Sequence, residues 1–179
     1  MTRTLLRRFK QTLFAGSMAL ALAPAASGEE LRIGFVAPTT GIFAQVGKDM
    51  VDGFKMYLDE KKDKFGGTDV KFLVEDEQAK PDTAVTKAKK LILEDHVQLL
   101  VGGVLAPEGY ALAPVSTAEK TVYIPSVPAA DDLTQRQLGD YPYIIRTGWT
   151  SSQPHHPLGQ WACDQGYKKI AAKIGRAHV

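Results

Sequence analysis

The sequence predicts an α/β fold built on a doubly wound parallel sheet, and three observations carry that reading. Short, mostly apolar runs recur at Leu31–Ala37, Val70–Val74, Val97–Val101 and Thr121–Pro125, the pattern of strands buried on both faces. The stretches between them place apolar side chains at helical spacing with charges on the opposite side. Gly or Pro punctuates the transitions, as at Pro38, Gly66-Gly67, Pro81 and Gly102-Gly103. Strands alternating with amphipathic helices pair in parallel through right-handed crossovers, which leaves helices on both faces of the sheet.

Each element follows in order. Leu31–Ala37 is a strand stopped by Pro38, and Pro38-Thr39-Thr40-Gly41 is a turn. From Phe43 to about Glu60, Val46, Met50, Val51, Phe54, Tyr57 and Leu58 recur on one helical face. Gly66-Gly67 ends that unit, and the strand Val70–Val74 stops at the acidic run Glu75-Asp76-Glu77. Pro81 opens a helix whose inward side is Ala84, Val85, Ala88, Leu91 and Ile92. Val97–Val101 is the third strand, with Gly102-Gly103 as its exit and a helix start near Ala106-Pro107-Glu108. Pro114 falls inside that helix at a cost of about 3 kcal/mol unless the helix is short or kinked there. Thr121–Pro125 is the fourth strand, Ser126–Asp132 a long turn and Tyr143–Arg146 a fifth strand. A helix from His156 to Gln165 leads into Lys168–Ala172, the expected start of another strand.

The 179 residues are 44% hydrophobic and 23% charged with one cysteine, which excludes a disordered chain and a disulfide scaffold. The net charge of +2 is unevenly placed. Residues 1–28 hold Arg3, Arg7, Arg8 and Lys10 and no acid, then an apolar run from Leu13 to Ala23 and the small residues Pro24-Ala25-Ala26-Ser27-Gly28. That tripartite pattern reads as a secretory signal over residues 1–27, and its apolar run is shorter than the ~20 residues of a membrane span. Beyond residue 28 the chain carries 18 basic and 20 acidic residues. The basic excess belongs to the leader, and Lys61-Lys62 and Lys89-Lys90 sit among acids, so no nucleic-acid partner is expected.

Enzyme templates are missing. The sequence has no G-x-S-x-G elbow, phosphate loop, G-x-G-x-x-G after the first strand or H-E-x-x-H. Cys163 reads as a small buried hydrophobe, and His155-His156 as a turn or surface pair, because adjacent side chains do not converge on a metal. Glu75-Asp76-Glu77 reads as a polar cap that shapes its loop. No catalytic residue, metal or cofactor is expected. In a doubly wound sheet ligands sit beyond the carboxyl ends of the strands, which points to Pro38–Ala44, Glu75–Gln78, Gly102–Gly109 and Ser126–Asp132. Helices starting at those loops aim their positive ends at the site, ready for a carboxylate, with Phe43 and Val46 as an apolar wall.

The run Leu31-Arg32-Ile33-Gly34-Phe35-Val36, then Thr40-Gly41 and Gly47–Phe54, resembles the leucine/isoleucine/valine-binding (type I) family of periplasmic substrate-binding proteins that serve ABC importers. Asp131-Asp132-Leu133-Thr134 followed by Tyr143–Thr147 resembles that family's passage from the first lobe to the second. The resemblance implies a first lobe over residues 28–147, and a crossover with the start of a truncated second lobe over 148–173. It implies hinge closure on a small ligand, an ABC permease in the inner membrane as partner, a monomer, and a periplasmic location. A ligand-sensing receptor ectodomain shares the fold and is the alternative. The family's ligand loops match Leu105-Ala106-Pro107 and Val127-Pro128-Ala129. Where amino-acid binders carry serine and threonine, this chain has Pro107 and Ala129, and Val46 stands in place of a wall aromatic. Without those hydroxyls an ammonium loses an acceptor, so the expected ligand is a small carboxylate, an aromatic acid ahead of a branched-chain amino acid. The stretch His155–Trp161 also looks like relatives associated with aromatic carboxylates. Ile174-Gly175-Arg176-Ala177-His178-Val179 resembles the translation of a sequencing-library adapter and is expected to carry no function.

Overall fold

The computed structural model describes residues 30–135 and 140–171, so the leader at 1–27 and the tail at 174–179 lie outside the described residues. The chain runs β1 (Leu31–Ala37), α1 (Ala44–Glu60), β2 (Lys64–Phe65), β3 (Thr68–Asp76), α2 (Pro81–Leu93), β4 (Leu99–Gly102), α3 (Ala106–Ala118), β5 (Val122–Pro125), α4 (Asp132–Gln135) and α5 (Ser152–Asp164). The sheet order is β2-β3-β1-β4-β5. β1 lies at its centre and pairs in parallel with β3 (Leu31↔Val70 to Ala37↔Asp76) and with β4 (Ile33↔Leu99 to Val36↔Gly102). β5 continues the parallel ladder beside β4.

The period of two along β1 divides the core. Ile33, Phe35 and Ala37 face α1 with Val51 and Val101, and Phe54 of α1 stacks on Phe72 of β3 at 4.7 Å while Phe35 meets both rings at 5.6 Å. Val36, on the opposite side, joins Ala84, Ala88, Leu91 and Ile92 of α2, Leu112 and Val115 of α3, and Tyr123. The sheet is therefore covered on both faces, and the inward side expected for α2 is the one that packs.

Five readings need correction. Gly66 and Gly67 do not merely end a helical unit: with φ of 57° and 91° they form a two-residue turn joining β2 to an antiparallel β3. β3 extends through Glu75 and Asp76 because both pair with β1 and Lys87 and Lys90 neutralise Glu75. Tyr143–Arg146 is not a strand but a single parallel bridge, Tyr123↔Ile144, since Arg146 turns away to bind a loop. Residues 168–171 are exposed and form no strand, with no neighbouring strand among the described residues to pair with. Cys163 is exposed rather than buried, because α5 packs only Ala162 inward. α3 runs unbroken through Pro114, which lies on its exposed side, so the missing bond falls toward solvent.

Candidate functional site

Because β1, β3, β4 and β5 run in parallel, their carboxyl ends deliver four loops to one edge of the sheet. Polar side chains knit these loops together. At the first, Asp76 Oδ1 accepts the Thr39 amide at 2.9 Å and Oδ2 the Thr40 hydroxyl at 2.6 Å. Burial pushes the Asp76 carboxyl up, but the bonds from Thr40, Gln78 and Thr39 outweigh it and hold the group below its ordinary range. Gly47 seats α1 against this loop, where a Cβ would lie 2.1 Å from the Pro38 carbonyl oxygen.

The third loop leaves β4 at Gly102, whose φ of +119° suits glycine and whose Cβ would strike the Val36 carbonyl oxygen at 2.0 Å. Gly103 then donates to that same oxygen at 2.9 Å. Glu108, in the first turn of α3, reaches back so that Oε2 accepts the amides of Val104 at 2.7 Å and Leu105 at 2.9 Å. The fourth loop is held from outside. Arg146 donates to the carbonyls of Pro128 and Ala130, each at 2.6 Å, and to the Thr134 hydroxyl at 3.1 Å. Asp131 accepts the Ser152 hydroxyl at 2.6 Å and its amide at 3.2 Å, which ties the loop to the start of α5 and lowers the Asp131 pKa.

The sequence-derived residues fall into three environments. Val46 and Pro107 are exposed; Leu105, Ala106, Val127 and Ala129 are half-buried at the loops. Phe43 and Pro128 are buried, and Pro128 packs where Cβ atoms on Gly103 and Gly109 would sit, joining the third loop to the fourth. The acidic run splits: Glu75 pairs with Lys87 and Lys90, Asp76 braces the first loop, and Glu77 is fully buried. His155 and His156 are exposed on α5. The bracing roles of Glu108 and Arg146 were missed. Their signals were an acid three residues into a helix and a lone Arg ending an apolar run.

The helix starts are not equivalent. α1 has no acid in its first turn and no side-chain cap, whereas Glu108 offsets the positive end of α3. The Asp76 carboxylate nevertheless stands on Thr39 and Thr40, in the loop that leads into α1. A cavity of about 340 Å³ lies elsewhere, on the sheet face beside α1, lined by Ile33, Phe54, Leu58, Val101 and Ile124 among others. Among the described residues, no group of three or more His, Cys, Asp or Glu side chains converges on one point.

A family model described as periplasmic binding protein matches residues 30–173. The chain belongs to that family. Periplasmic binding proteins similar to it include Leu/Ile/Val-binding protein homolog 6 of Brucella abortus, 28% identical over 85% of this chain and 38% of the relative. Another is Leu/Ile/Val-binding protein BraC3 of Rhizobium johnstonii, 30% identical over 72% of this chain and 34% of the relative. Two solved structures of ABC transporter solute-binding proteins share the fold. One, from Rhodopseudomonas palustris BisB5 in complex with 3,4-dihydroxybenzoic acid, is 29% identical with a TM-score of 0.71, covering 76% of this chain and 37% of the other. The second, from R. palustris in complex with 4-hydroxybenzoate, is 27% identical with a TM-score of 0.70, covering 77% and 37%. The chain thus spans about two-fifths of the length of these periplasmic binding proteins. They are binding proteins rather than enzymes.

Proposed function

We propose that the protein is the periplasmic solute-binding component of an ABC importer, that it captures a small aromatic carboxylate, and that it delivers this ligand to a membrane permease without turnover. The observation that carries this reading is the chemistry of the two ligand loops. Leu105-Ala106-Pro107 and Val127-Pro128-Ala129 offer apolar surface and backbone groups but no side-chain hydroxyl or charge that would compensate a desolvated ammonium. An aromatic acid needs only an anion site and apolar walls, and this reading assigns the first to the start of α1, which has no acid in its first turn, and part of the second to the exposed Val46. The hydroxybenzoate complexes of the two R. palustris relatives support the same class. On this reading residues 1–27 direct export to the periplasm, where the protein acts as a monomer.

Isothermal calorimetry of the full-length protein with 4-hydroxybenzoate, 3,4-dihydroxybenzoate, benzoate and leucine tests the proposal. The aromatic acids are expected to bind at least about tenfold more tightly than leucine, a difference of about 1.4 kcal/mol. Tight binding of leucine alone refutes the ligand class.

A further inference from the structure

Beneath the third loop lies a pair of carboxyl groups that no step above uses. Glu77 follows β3, Glu108 stands in the first turn of α3, and both are 0% exposed. Glu108 Oε2 is satisfied by the Val104 and Leu105 amides, but Glu108 Oε1 and both Glu77 oxygens meet no protein donor of hydrogen-bonding geometry. The Glu108 carboxyl lies close enough to Glu77 to act on it as a like charge. Two acceptor-only groups side by side in an apolar interior repel each other and forfeit their hydration. A single proton removes both costs, because it turns one acceptor into a donor aimed at the other.

The remaining polar neighbours do not supply that proton. Tyr123, from β5, already donates its hydroxyl to the Gly102 carbonyl at 3.2 Å, and burial, Glu108 and Glu77 all hold that phenol protonated. Arg146 lies beyond Tyr123 with its guanidinium on the Pro128 and Ala130 carbonyls. Lys80 turns its ammonium to the Gln78 side chain at 3.1 Å. The backbone of Ala79 and Lys80 favours the charged form of Glu77, but less strongly than burial and Glu108 oppose it.

We propose that Glu77 is a positioning residue for the ligand loop: as a neutral acid it donates to Glu108 Oε1, which keeps Glu108 seated under the Val104 and Leu105 amides, and loss of that proton to water loosens the loop. The inference rests on the reading of Leu105–Pro107 as ligand contacts. Burial first, and the neighbouring Glu108 second, push the Glu77 carboxyl up to about 8. The neutral form therefore prevails in mildly acidic and neutral medium, and the ionised form in alkaline medium.

Hydrogen exchange of the Val104 and Leu105 amides in the full-length protein, corrected for intrinsic base catalysis, tests this from about pH 6 to about pH 9.5. Wild-type protection is expected to fall about tenfold per pH unit between about pH 6 and about pH 8, where the closed loop holds a proton that the open loop has lost, and to level off above about pH 8. Glu77→Gln keeps a donor that cannot ionise and should flatten the profile at high protection. Glu77→Leu removes the donor and should leave protection low at every pH. A Glu77→Gln profile that titrates like wild type overturns the proposal. So does protection that rises with pH and is lost in Glu77→Gln, the sign expected of a bridging cation. Calorimetry with 4-hydroxybenzoate across the same pH range separates the two readings. Affinity that tracks protection supports both, whereas amides that titrate in a protein binding none of the acids sink the ligand reading and leave the shared proton standing.

Discussion

Replacing Arg146 by alanine removes the clamp on the fourth loop. The guanidinium makes two bonds of 2.6 Å to the Pro128 and Ala130 carbonyls, one of 3.1 Å to Thr134 and a long one of 3.5 Å to the Trp149 carbonyl. A hydrogen bond to a charged donor contributes about 1.5–3 kcal/mol. Arg146 is only half-buried, so the lower end applies to the two short carbonyl bonds and about 0.5 kcal/mol to the exposed Thr134 bond. The expected loss is about 3.5 kcal/mol. Arg146→Lys should recover less than half, because one ammonium cannot span two carbonyls as a planar fork does. Urea unfolding of the full-length protein measures the effect as a lowered midpoint at unchanged slope. In parallel, under the proposed ligand reading, affinity for 4-hydroxybenzoate should fall as Val127–Ala129 lose their fixed course. A destabilisation below about 0.5 kcal/mol in Arg146→Ala would refute the claim that this side chain holds the loop.

Three further outcomes follow from the same geometry. Gly47→Ala places a Cβ 2.1 Å from the Pro38 carbonyl oxygen, so α1 must shift and stability should drop by about 1–3 kcal/mol in a denaturant melt. Asp76 binds fewer protons folded than unfolded because its pKa is lowered from 3.8; its contribution is complete above that ordinary value and is lost as the pH falls through the folded one. The acid limb of the stability profile should accordingly be shallower in Asp76→Asn than in wild type, as thermal melts below about pH 5 will read. Pro114→Ala on the exposed side of α3 restores a helical hydrogen bond and should raise stability by about 1–3 kcal/mol, seen as a higher urea midpoint.

Much of this lobe was legible along the chain. The apolar run of β1 and the spacing Ala84, Ala88, Leu91, Ile92 of α2 each express a periodicity that burial imposes directly, so the parallel, two-faced sheet followed from local patterns. The gathering of the loops after β1, β3, β4 and β5 at one edge followed as well, since parallel strands carry their carboxyl ends to the same side. What failed were segments whose state depends on distant partners. Tyr143–Arg146 has a strand's composition, yet a guanidinium drawn to the Pro128 and Ala130 carbonyls takes the chain off the sheet after one bridge. Cys163 sits in a helical pattern, yet α5 turns little of it inward.

The acidic run Glu75-Asp76-Glu77 marks the division most sharply. Sequence alone determined that three acids stand at the end of a strand and that Leu105–Pro107 and Val127–Ala129 carry no hydroxyl. Only the tertiary structure decided that the three acids have three different fates. One is neutralised by Lys87 and Lys90, one is braced by Thr39 and Thr40, and one is sealed against Glu108. The physical reason is that composition and period depend on neighbours a few residues away. The charge state and role of a carboxyl depend instead on solvent access and on donors that arrive from other elements, here α2, the loop after β1 and the first turn of α3.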